Sequence, residues 1–186
     1  MTKEDKMKGI VRCSPERLGP LAVLAAATLL VAGVAGASAS TPTGGSLKFW
    51  ATPTTAGANN LVIAGAIGDY GTSLNIDQNG KTNANGSYAQ ITLRKGTFRI
   101  NQTAFNTAAN KASFPIDKAT CSSEGSITAP APVSNGTGLY KGIAGRVHIT
   151  LTLVWIVFRN TNGKCDGTKV LFHSEYLTGT GTVSFE

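Results

Sequence analysis

Between Gly145 and Arg159 the chain reads GRVHITLTLVWIVFR, and its apolar side chains fall on alternate positions. Val147, Ile149, Leu151, Leu153, Trp155 and Val157 share one face. His148, Thr150 and Thr152 share the other, which turns apolar at Val154, Ile156 and Phe158. A period of two, rich in β-branched residues, predicts a strand that is solvated early and covered late, or that bends through a sheet corner. Strands are also predicted at 47–50, 61–67, 88–93, 96–105, 126–129, 170–177 and 179–185. In the fourth of these Phe98 and Ile100 alternate with Thr97, Arg99 and Asn101.

Turn signals separate these segments. Gly68-Asp69-Tyr70-Gly71, Asn79-Gly80, Asn85-Gly86 and Asn160-Thr161-Asn162-Gly163 suit tight reversals. Leu74, Ile76 and the polar stretch 77–86 read as a loop. Residues 106–120 are ambiguous: Ala108 to Ala112 suits one helical turn, which Phe114-Pro115 stops. Pro130 and Pro132 end the strand before them. Seven or eight strands, no long helix and no internal repeat predict one all-β domain, either a closed antiparallel barrel or a sandwich. A closed barrel has the merit of removing exposed strand edges.

Ahead of this domain the pattern changes. Lys3, Lys6, Lys8, Arg12 and Arg17 precede an uncharged run from Leu21 to Ala37, and small residues follow at Ala37-Ser38-Ala39. That is the three-part arrangement of a secretory signal peptide, with Ala35-Gly36-Ala37 as a second cleavage site. No twin arginine occurs, so the general secretory route is expected. The expected organisation is a signal peptide at 1–39, a flexible lead-in at 40–46 and a β domain at 47–186. The run is short for a bilayer span and is interrupted by Gly33 and Gly36, so no membrane span is expected after cleavage.

The full chain has a net charge of +7. From Ser40 onward 12 Lys and Arg stand against 7 Asp and Glu, a net charge of +5. The bases are scattered, Arg94-Lys95 being the one adjacent pair in that part, which argues against nucleic acid and weakly favours anionic envelope or polymer surfaces. Of the three cysteines, Cys13 falls in the leader; Cys121 and Cys165 form an even pair in an exported chain and are predicted to join as a disulfide.

Chemistry is sparse. The sequence contains no G-x-S-x-G, no H-E-x-x-H and no phosphate-binding glycine loop. Asp69 and Tyr70 read as a turn residue and a packing aromatic. Because the leader is of bacterial type, sequons at Asn85, Asn101 and Asn135 in the β domain read as chance products of Asn-rich turns. The weak catalytic candidates are Arg146, His148, His173 and Glu175. His173 and Glu175 share a face, as do Arg146 and His148, and if those faces meet the four form a cluster. Such a set suits acid–base work or zinc, set against the plainer reading of a solvated sheet face. No cofactor and no metal are expected.

Residues 135–145 read NGTGLYKGIAG. The pattern of Gly136, Thr137, Gly138, Tyr140, Gly142 and Gly145, ahead of a long alternating strand, resembles the allene oxide cyclase and dirigent barrel group. The stretches 64–71 and 179–185 also resemble small exported bacterial proteins of that type. The resemblance implies an eight-stranded antiparallel barrel with an apolar interior, self-association, and a pocket that shapes reactive intermediates. None of that group's functional residues maps onto a position here. The expected function is an exported, non-enzymatic module, ligand-binding or envelope-associated, with any small apolar ligand held in the barrel. The alternative is an isomerase- or cyclase-like enzyme acting in the same cavity; a third is a structural or adhesive surface protein.

Overall fold

The computed structural model describes residues 42–54 and 58–186. The leader predicted at 1–39, with Cys13, lies outside the described residues. Alternating apolar positions build the strands β1 (Gly45–Pro53), β2 (Ala58–Gly65), β3 (Asp69–Ile76), β4 (Tyr88–Leu93) and β5 (Gly96–Asn101). A helix, α1 (Thr103–Lys111), follows, then β6 (Ser122–Ser134), β7 (Ile143–Arg159) and β8 (Cys165–Phe185). Each strand pairs antiparallel with the next, and β1 pairs with β8 to close an eight-stranded barrel. Of the two architectures left open by the sequence, the barrel is the one observed. The predicted lead-in is shorter than expected, because Gly45 and Ser46 already pair with Val183 and Thr182.

Inward side chains fill the barrel. Leu47, Phe49, Leu61, Ile63, Ile91, Phe98, Val147 and Ile149 are all buried, and Tyr140 meets Phe98 edge to face with ring centroids 5.7 Å apart. Edge-to-face packing places the positive ring edge on the negative face of its neighbour. Space is made by Gly179, which the sequence marks as a strand boundary. It sits inside the single 21-residue strand β8. A Cβ there would lie 2.0 Å from the Phe49 ring, so the missing side chain is the room that Phe49 occupies. Gly179→Ala is therefore expected to cost about 1–3 kcal/mol by overpacking; urea denaturation checks this, and an unchanged midpoint would contradict it.

Three segments differ from the sequence reading. Residues 69–76 form β3 rather than turn and loop. Residues 103–111 are helical and sink Phe105 into the core, where a strand end had been expected. β6 runs straight through Pro130 and Pro132 for 13 residues. Both prolines are exposed, and strand pairing of β6 with β5 is confined to Arg99↔Ser134 and Ile100↔Val133. Below that short seam no strand among the described residues lies on the β5 side of β6, so an imino nitrogen there breaks no ladder. α1 packs against β6 instead.

At the far end of the sheet β7 and β8 run on together past the last β1–β8 pair, Ala51↔Leu177. The register shifts between Ile156 and Phe158. Phe114 covers the inward face of this extension, its ring edge to face with Trp155 at 5.8 Å. The outward face, expected to be covered, is open: Ile156, Phe158, Phe172 and Tyr176 are exposed.

Candidate functional site

The four catalytic candidates are not brought together. Arg146 and His148 alternate with buried Val147 and Ile149 and therefore point out of the barrel, opposite Thr182 and Thr180. His173 and Glu175 share the inward parity of Leu177, which lines the interior. His173 lies opposite Trp155, seven residues along β7 from His148, which is about 23 Å of strand. His173 Nε2 and Glu175 Oε2 are 3.7 Å apart and both side chains are substantially exposed. Among the described residues no group of three or more His, Cys, Asp or Glu could hold a metal ion.

The barrel interior is apolar at its middle, where Phe49, Ile91, Phe98 and Ile149 meet, and polar at one end, where Asn59, Ser73 and Gln102 enter. Asn59 Nδ2 donates to Ser73 Oγ at 3.1 Å, and Gln102 Nε2 donates to Asn75 Oδ1 at 3.1 Å. The cavity between these side chains is about 30 Å³, far below the ~300–1,000 Å³ of small-molecule sites. A larger guest inside the wall requires the lining side chains to move or the barrel to part, and the two-pair β5–β6 seam is its shortest join.

A buried polar centre that sequence reasoning missed closes the opposite end. The Asp69 carboxylate accepts hydrogen bonds from the Tyr140 hydroxyl at 2.5 Å and from the backbone N–H groups of Tyr70 and Lys95. Tyr140 is fully buried, on a 3-10 turn (Gly138–Tyr140) that begins at Gly138 with φ +59, a conformation glycine adopts without strain. Burial raises the Asp69 pKa, but the bonds from Tyr140, Tyr70 and Lys95, with the Lys95 charge, carry it below the ordinary carboxylate value. Burial, then the Asp69 bond and charge, hold the Tyr140 phenol above its ordinary value. Such a phenol is a poor nucleophile or base. The centre ties three turns together.

The outer wall is different. Trp50, Val62 and Tyr70 are exposed and stand in register across β1, β2 and β3, as Trp50↔Val62 and Val62↔Tyr70. Lys48 Nζ lies 5.4 Å from the centre of the Trp50 ring, and Arg94 Cζ lies 5.4 Å from that of Tyr70. Arg94 also donates to the Tyr70 hydroxyl at 3.2 Å. Exposed aromatics in a row, each with a cation against it, suit a binding surface.

The predicted disulfide is present: Cys121 and Cys165 join at 2.05 Å. Among the described residues no helix is long and apolar enough to cross a membrane. The chain matches no family model, no curated protein and no solved structure. The likeness to the allene oxide cyclase and dirigent group therefore rests on the motif residues of the sequence.

Proposed function

We propose that this protein is an exported, non-enzymatic β-barrel module that associates with the cell envelope and binds through its outer wall. One contrast supports the reading: the interior leaves about 30 Å³, while Trp50, Val62 and Tyr70 stand outside. Large apolar side chains held in solvent in a contiguous row are costly unless something covers them. The basic balance of the chain suits an anionic envelope surface. A disulfide fits an oxidising compartment.

Fractionation of a secreting culture tests this. The protein is expected to sediment with washed envelopes and to be released by salt, because the cations at the row are screened by ions. Complete recovery in the clarified medium would end the envelope reading.

A further inference from the structure

We infer that the Trp50–Tyr70 row is a binding track for an acidic polysaccharide, an inference that rests on the envelope reading and names the ligand class. Neighbouring strands are about 4.8 Å apart, so residues two strands apart in register, as Trp50 and Tyr70 are, stand about 10 Å from each other. That places two aromatic platforms in line, with the smaller Val62 between them. A rigid platform–gap–platform arrangement suits a chain of flat rings that presents an apolar face at every second unit. Sugar rings in an extended polymer do this, their axial C–H groups resting on an aromatic face.

The two borders of the track complete the recognition. On one side lies a row of hydroxyl and amide groups, Thr52↔Asn60 and Asn60↔Thr72, all exposed and continued by Thr92 on β4. These match the ring hydroxyls of a sugar chain in both donor and acceptor capacity. At the other border Lys48 stands beside Trp50, and Arg94, next to the Gly71↔Leu93 pair, stands beside Tyr70 at the β4 end of the row, so each aromatic platform has one cation. Two cations separated by the length of the track call for a repeating acid, such as a uronate carboxylate. A shallow groove of about 330 Å³ follows Trp50, Thr52, Asn60, Val62 and Tyr70. A bilayer surface would leave the Thr–Asn border unused. Nucleic acid calls for bases concentrated along a phosphate path, and the bases here are scattered over the chain.

Affinity electrophoresis of the secreted protein through gels containing polygalacturonate tests the inference, with neutral dextran and phosphatidylglycerol vesicles as comparison probes. The wild type is expected to be retarded by polygalacturonate, less so at high salt, and by neither comparison probe. Trp50→Ala and Tyr70→Ala are each expected to lower affinity about tenfold, as loss of one ring-stacking contact does. Tyr70→Phe keeps the ring and is expected to retain most binding, which separates stacking from any folding defect; Lys48→Gln with Arg94→Gln is expected to abolish the salt dependence. Equal retardation by dextran would overturn the acidic part. Retardation unchanged in the Trp50→Ala/Tyr70→Ala double variant, or binding to vesicles in place of polymer, would overturn the track. A wild type that sediments with envelopes yet ignores polygalacturonate sinks this inference alone; one that does neither sinks the envelope reading as well.

Discussion

Replacing Cys121 and Cys165 together with Ser is expected to lower the unfolding free energy by about 4 kcal/mol, the largest loss anticipated from removing any single link in this domain. The bridge closes a loop with a sequence separation of 44, and in the chain-entropy account a loop of that length confines the unfolded chain by about 4 kcal/mol. For a domain of ordinary stability that is about a quarter or more of the total. The bridge fastens the start of β8 to the start of β6, at the end of the crossing that follows α1. Arg159 reinforces the same corner by donating to the carbonyls of Lys118, Ala119 and Gly163. Urea denaturation of the double variant and of the reduced wild type should agree; a loss below about 1 kcal/mol would show that the crossing is held by packing alone.

Truncating Tyr140 is expected to have the second large effect. Tyr140→Ala removes a fully buried ring packed on Phe98, at about 4 kcal/mol for an aromatic-to-alanine change. Tyr140→Phe keeps the ring and loses the bond to Asp69, at about 2 kcal/mol for a bond to a charged group. The pH dependence separates the two contributions. The Asp69 pKa is depressed in the folded state from its ordinary 3.8. Its stabilisation is thus present above that value and is lost as pH falls through the lower folded value. The Tyr140 pKa is raised from its ordinary 10.0, so its contribution is present below that value and declines as pH rises beyond it. Tyr140→Phe should flatten both limbs of the stability profile, and an unaltered profile would show that the pair is incidental.

The strands easiest to read from the sequence are those whose inward positions are apolar. β7 was legible because Val147, Ile149, Leu151 and Leu153 repeat without interruption. β3 was not, because its inward positions at the start are Asp69, Gly71 and Ser73 while Tyr70 points outward. That reverses the usual polarity and mimics a turn. β6 was cut short at Pro130, since nothing local announces that the missing N–H faces a side no strand uses. Gly179 looked like punctuation because the ring that fills its space, Phe49, is remote in sequence.

Site residues followed the same division. The cysteine pair needed only a count and a compartment. The Asp69–Tyr140 centre joins residues 71 apart, and no spacing rule connects them; the available signal was an aspartate between apolar Ile67 and Leu74, flanked by glycines. The proposed cluster of Arg146, His148, His173 and Glu175 failed on parity. Counting from Leu177 places His173 and Glu175 on the inward face, whereas Val147 and Ile149 place Arg146 and His148 outside. No local pattern marks the outer row, because Trp50, Val62 and Tyr70 lie on three different strands and register alone aligns them.

Methyl-resolved NMR of the protein, titrated with polygalacturonate, puts the inside-or-outside question to the molecule itself. Val62 points out of the wall, and its neighbour Ile63, with Ile91 and Ile149, points in. The Val62 methyl signals should shift while those of Ile63, Ile91 and Ile149 stay in place. Shifts at the three isoleucines with Val62 unmoved would locate the ligand within the barrel and contradict binding at the outer wall.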